Sequence, residues 1–170
     1  MSGEPISDEE LMQLLEAARW APSCYNEQPW RICYARKHSP HFASFLDLLV
    51  EFNRGWAHRA AVLGIFVSHK VFARNQKPSP THAFDTGAAW ENLALQGTAM
   101  NLVVHGMGGF DYARAKTLIR APDNYEVLAM FAIGKPAPAE TLSPELQKRE
   151  SPSERMPVSQ FAVEGALREV

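Results

Sequence analysis

The side chains of widest chemical reach in this sequence are two cysteines, Cys24 and Cys33, and the histidines His58, His69, His82 and His105. No CxxC pair occurs, and no Cys/His spacing suits a metal, so neither a zinc site nor a dithiol centre is expected and both thiols are read as reduced. Glycines cluster at Gly106-Met107-Gly108-Gly109 but do not fall into the G-x-G-x-x-G pattern after a strand. A nicotinamide dinucleotide, if used, would therefore bind transiently, as a substrate. Three further stretches carry uncommitted polar groups: Pro22-Ser23-Cys24-Tyr25-Asn26-Glu27-Gln28, Asn53 and Arg155. Taken singly, each has an ordinary structural reading, as a turn after a proline-stopped helix, a helix C-cap and a solvated cation.

The elements that must position these groups follow from hydrophobic spacing. Ser7 with Glu10 forms a capping-box signature, and Leu11, Leu14, Leu15 and Ala18 repeat at helical spacing, so a helix is expected from about Asp8 to Trp20. Arg31 to Arg36 reads as a short strand. A second helix is expected from Ser39 and Pro40 to about Asn53, with Phe42, Phe45, Leu46 and Leu49 on one face. Val62 to Ser68 and Val127 to Ile133 read as strands, and Asp111 as the N-cap of a helix ending near Arg120. Helices and strands without a βαβ rhythm predict an α+β layer fold.

The longest element is expected from Phe84 to Val104, where Ala88, Trp90, Leu93, Leu95 and Met100 leave almost no polar face. Such a helix must be covered on all sides, by a partner subunit or by a central core position. A single domain is expected over residues 1–170, with an extended arm from about 135, where five of the twelve prolines fall. The net charge of −2 provides no basic field for nucleic acid or an anionic membrane, and small-molecule chemistry is favoured. No apolar run is long enough to span a bilayer, and the N-terminus has no signal-peptide pattern, so a cytoplasmic location is expected.

Five stretches together resemble one family. Ala17 to Trp30, with its core Ala21-Pro22-Ser23-Cys24-Tyr25-Asn26-Glu27-Gln28-Pro29-Trp30, is followed by Asn53-Arg54-Gly55-Trp56, Asp85-Thr86-Gly87-Ala88-Ala89-Trp90-Glu91-Asn92-Leu93 and Gly106 to Asp111, and the series closes with Arg155-Met156-Pro157. In order and spacing these resemble the nitroreductase family of FMN-dependent reductases. The resemblance implies a nitroreductase-like α+β fold with a central mixed or antiparallel sheet, an entwined homodimer, and FMN as the cofactor. It also implies NAD(P)H as a transient electron donor and a small electron-poor acceptor, such as a nitroaromatic or a quinone, reduced in ping-pong order.

Residue by residue, the resemblance implies that Pro22, Ser23, Cys24, Tyr25, Asn26 and Gln28 lie along the flavin, often across the dimer interface. Asn53 would bond the polar edge of the ring, its carboxamide both donating and accepting. Gly106, Met107, Gly108 and Gly109 would bring main-chain N–H groups close to the ring, which glycine permits. Arg155 would pair with the FMN phosphate through its guanidinium fork. No side chain is expected to be catalytic, because the cofactor carries the reaction. Phe84, Trp90 and Phe110 are candidates for an apolar lid. Cys24 stands where the family often has serine and uses the backbone, so a thiol mechanism is not expected.

Two departures shape the expectation of affinity. The family's basic N-terminal pattern, Arg-x-Ser-x-Arg or similar, has no counterpart before Ser7, and Trp56 stands where some members carry lysine. Weaker FMN binding is expected. The alternative reading is a flavin-binding or vestigial member with little turnover, and a third is a purely structural homodimer.

Overall fold

In the computed structural model, residues 1–166 are described, and the chain divides into two compact units, Met1–Ala137 and Pro138 onward. The first unit opens with α1 (Asp8–Arg19). Its capping box is formed as expected, with the Ser7 hydroxyl accepting from Glu10 N–H and the Glu10 carboxylate from Ser7 N–H. Pro22 follows its end, and a 3-10 turn at Cys24–Asn26 leads into β1 (Trp30–Arg36). Beyond β1 come α2 (Phe42–Leu46), α3 (Glu51–Ala57), β2 (Val62–His69), α4 (His82–Ala99), β3 (Val103–Met107), α5 (Tyr112–Leu118) and β4 (Tyr125–Gly134). The four strands form one antiparallel sheet in the order β1-β2-β4-β3.

Strand alternation builds a core on each face of the sheet. From β2, Leu63, Ile65 and Val67 join Phe42, Phe45 and Leu49 on one side, while Val62 and Phe66 join Leu14 and Leu93 on the other. Central strands buried on both faces read as continuous apolar runs, which is why β2 and β4 were legible without alternation.

Two expected helices come out shorter. The second breaks into α2 and α3 because the backbone at 48–50 bonds across to the segment after β3. Asp111 N–H donates to Leu48 O at 2.9 Å, Val50 N–H donates to Gly109 O at 3.0 Å, and Leu49 bridges Phe110. The long apolar helix stops at Ala99, not Val104. Asn101 takes a left-handed φ of 56°, and Leu102 N–H folds back onto Gly97 O at 2.8 Å, a helix-ending arrangement. The β-branched pair Val103 and Val104 then starts a fourth strand, in which Gly106 and Met107 lie. Gly106 is an edge-strand residue whose missing Cβ makes room for Trp90, since a Cβ there would sit 3.0 Å from the indole.

α4 is only half covered within the subunit. Ala89, Leu93 and Gly97 are buried, but Phe84 is 81% and Leu95 60% exposed. No helix among the described residues is long and apolar enough to cross a membrane. The second unit carries a 3-10 turn at Ala139–Thr141 and two short helices, α6 (Pro144–Gln147) and α7 (Val158–Phe161).

Candidate functional site

Asn53 occupies the middle of α3, not a C-cap, and the break at 48–50 brings it beside the turn that follows β3. Its Nδ2 donates to Gly109 O at 3.1 Å, so its Oδ1 and second N–H have no partner among the described residues. A Cβ at position 109 would lie 2.8 Å from Asn53 Nδ2 and 3.0 Å from Val50 Cγ2, so any side chain there would have to displace the Asn53 carboxamide. The N–H groups of Gly108 and Gly109 donate to no acceptor among the described residues, and Gly108 is exposed. One carboxamide and two main-chain donors thus form an open polar face at the end of β3. Trp56, one turn after Asn53 on α3, meets His105 of β3 edge to face at 4.8 Å, and partial desolvation lowers the His105 pKa from the ordinary histidine value.

The loop at 22–28 is unusual in its backbone. Tyr25, Asn26 and Gln28 all take left-handed φ, at 54°, 56° and 50°, without a glycine among them. Anchors hold it there. Cys24 N–H donates to Asp85 Oδ2 at 3.1 Å, Gln28 N–H to Ser23 Oγ at 3.0 Å, and Ala73 N–H to Glu27 Oε1 at 2.5 Å. Asp85 is 4% exposed in the first turn of α4, where the helix dipole favours a carboxylate, and it also accepts from Thr81 Oγ1 at 3.1 Å. Tyr25 points outward, 73% exposed, with the Arg74 guanidinium over its ring.

The other expected residues fall in different places. Of the lid candidates, Phe84 is exposed, whereas Phe110 is 7% exposed in the core and stacked on Tyr112, and Trp90 packs edge to face on Phe66. Met107 is buried in the core beneath the sheet. Arg155 belongs to the second unit, exposed and bonded to Ser153 and the Glu154 carbonyl. Asp85, Glu27 and Arg74 were assigned no role from the sequence. The available signal is Asp85-Thr86, a polar pair in the first turns of α4 and within a stretch that carries the family resemblance. Ser68, His82 and Glu126 fall in line, with Ser68 Oγ 2.9 Å from His82 Nδ1, but Ser68 is fully buried and its hydroxyl donates to His82 O, so it is no nucleophile. No metal-binding group is found among the described residues.

The family model of the nitroreductase family matches residues 2–135, a span that contains the loop, Asn53, Asp85 and the turn after β3. The chain belongs to the nitroreductase family. Among solved structures it is similar to an oxidoreductase containing FMN, with 40% identity, a TM-score of 0.93 and coverage of 98% of this chain and 86% of that one. It is also similar to a Desulfovibrio desulfuricans protein solved in complex with FMN, at 25% identity and a TM-score of 0.72, over 97% of this chain and 88% of that one. A Thermus thermophilus protein named NADH dehydrogenase is 28% identical over 163 residues, 79% of each chain. The nitroreductase fold is thereby established for this member, with an all-antiparallel sheet among the described residues.

Proposed function

We propose that this nitroreductase-family chain is an FMN-dependent oxidoreductase that takes hydride equivalents from NADH or NADPH and passes them to small electron-poor molecules, such as nitroaromatics and quinones. The observation that carries this reading is the open polar face of the Asn53 carboxamide with Gly108 and Gly109 N–H. It fits a flat heterocycle edge of alternating donors and acceptors, and the glycine gap lets the main chain approach closely. FMN, when bound, supplies the hydride-transfer chemistry. The chain's part is to bind and orient. Asn53 fixes the polar ring edge, the N–H groups at 108 and 109 donate to the ring, and Arg155 answers the phosphate. Donor and acceptor enter the same space in turn, in ping-pong order, beside the exposed Phe84. The FMN-containing structures at 40% and 25% identity and the name of the Thermus relative support the reading.

The reading includes a homodimer. Loop 22–28 precedes β1 and the 108–110 turn follows β3, at the same end of the sheet but at opposite edges. Three inter-strand steps separate those edges by about 14 Å. On this reading a second copy, docked on the open side of α4, would bring the loop of one subunit to the turn of the other and would cover Leu95 as well.

The test is reconstitution with FMN, followed by NADH and NADPH oxidation with a nitroaromatic and a quinone. A yellow complex with turnover is expected. Flavin retention without turnover would reduce the chain to a flavin-binding protein, and loss of both would refute the reading.

A further inference from the structure

Beyond the Asn53 face, the hairpin at 70–79 presents a cation with no counterpart in the sequence expectations. Val71 pairs with Pro78, and Phe72 N–H donates to Lys77 O at 2.8 Å, which places Arg74 at the tip. Its guanidinium carbon lies 4.1 Å from the centre of the Tyr25 ring and 5.4 Å from that of Phe72, and the two rings meet edge to face at 6.1 Å. The Glu27 bond to Ala73 N–H ties this hairpin to the candidate cofactor loop.

Most other arginines of the first unit are occupied: Arg19, Arg36 and Arg54 are in ion pairs, and Arg31, Arg59 and Arg114 donate to carbonyl oxygens, while Arg120, at the end of α5, has no aromatic ring against it among the described residues. Arg74 makes no ion pair and no side-chain hydrogen bond among the described residues. Its fork is held against a ring, with its donors unspent. Lys70 and Lys77 on the same hairpin add positive charge, and the nearby Glu27 carboxylate is engaged by Ala73 N–H.

We propose that Arg74, stacked on Tyr25, is a receptor for the phosphate ester of a nucleotide at the rim of the candidate cofactor loop. The inference rests on the flavin-reductase reading and adds to it a phosphate contact distinct from Arg155. A guanidinium already ordered by stacking loses less freedom when it grips a phosphate bidentately than a free lysine does. Tyr25, 73% exposed, leaves aromatic surface on which a planar ring can lie. A cation and an aromatic side by side match what a nucleotide presents, a phosphate tethered to a ring. The phosphate has two possible sources, the flavin 5′-phosphate and the phosphates of the dinucleotide donor.

The experiment separates them. Dissociation constants of FMN and riboflavin are measured by flavin fluorescence, and those of NAD+, NADP+ and nicotinamide by calorimetry, for wild type, Arg74→Ala, Arg74→Lys and Lys77→Ala. Arg74→Ala is expected to weaken the phosphate-bearing ligand about 10- to 100-fold and to leave its phosphate-free counterpart unchanged. An effect on FMN but not riboflavin assigns the flavin phosphate, and an effect on the dinucleotides but not FMN assigns the donor. Arg74→Lys, which keeps the charge but not the fork, is expected to recover only part of the loss, and it reads the same point if the alanine variant does not fold. Unchanged binding of every ligand overturns the proposal. So does equal weakening of FMN and riboflavin, which would mark a structural role, or an equal effect of Lys77→Ala, which would mark a diffuse field. A wild type that binds no flavin refutes the flavin reading instead, and the dinucleotide arm then decides on Arg74.

Discussion

Replacing Asp85 tests what keeps loop 22–28 in its conformation. Left-handed backbone costs about 1 kcal/mol or more for each non-glycine residue, so Tyr25, Asn26 and Gln28 together oppose the native loop by about 3 kcal/mol. Asp85 Oδ2 accepts two hydrogen bonds, from Cys24 N–H and Thr81 Oγ1, at a site 4% exposed. Asp85→Ala removes both and leaves the Cys24 N–H without its acceptor, a loss of about 2 to 4 kcal/mol. Asp85→Asn, with its carboxamide oxygen in the place of Oδ2, can still accept from both Cys24 N–H and Thr81 Oγ1 and loses only the charge, so its cost should be about 1 kcal/mol. Urea unfolding gives the two free energies, and amide hydrogen exchange over residues 23–28 shows whether the loop is where the loss falls. In the flavin reading, FMN affinity should decline in the same order, alanine below asparagine below wild type. An alanine variant within about 0.5 kcal/mol of wild type, with unchanged exchange in the loop, would show that the other anchors suffice and that the reasoning fails.

Gly109→Ala should push Asn53 aside, because the added Cβ would stand 2.8 Å from its Nδ2, and should weaken FMN binding roughly tenfold, as Asn53→Ala should too; overlapping titrations would remove the turn from the site. Burial lowers the His105 pKa, so the unfolded chain binds that proton more tightly, and stability falls as pH drops through the ordinary histidine range towards the folded value. His105→Gln should therefore show a smaller fall in Tm than wild type between about pH 7.5 and about pH 5.5, and an equal fall would contradict the sign. Burial also pushes the Cys33 thiol up, so in a Cys24→Ser background a disulfide reagent should label it more slowly than free cysteine, and labelling at the free rate would count against its burial. Leu95→Glu should be silent in a monomer, where the side chain is 60% exposed, and should break a dimer that covers it; sedimentation of the wild type as a monomer at micromolar concentration would dispose of the dimer.

What was legible in the sequence was local. The capping box at Ser7 and Glu10 and the N-cap at Asp111 need only neighbours along the chain, and they stand where expected. β2 and β4 announced themselves because burial on both faces requires an unbroken apolar run. The split between α2 and α3 was hidden, since residues 48–50 give up helical bonds for partners about sixty residues away. β3 was hidden for a related reason. Val103 and Val104 continue the apolar pattern of α4, and only the left-handed Asn101 separates the two elements.

The candidate site divides along the same line. Asn53 and the glycines at 108 and 109 were found through the resemblance, yet the contact that orders them, Asn53 Nδ2 to Gly109 O, spans 56 positions and exists only because α3 starts where it does. Loop 22–28 shows the opposite limit. Its sequence carries no glycine to signal positive φ, and the residues that hold it, Asp85 and the hairpin at 70–79, come from two other parts of the chain. A left-handed loop without glycine persists only when distant contacts outweigh its local preference. Local sequence therefore favours a different loop from the one observed, and that conflict itself makes Asp85, a buried carboxylate with no ion pair among the described residues, intelligible as a tie between α4 and the loop.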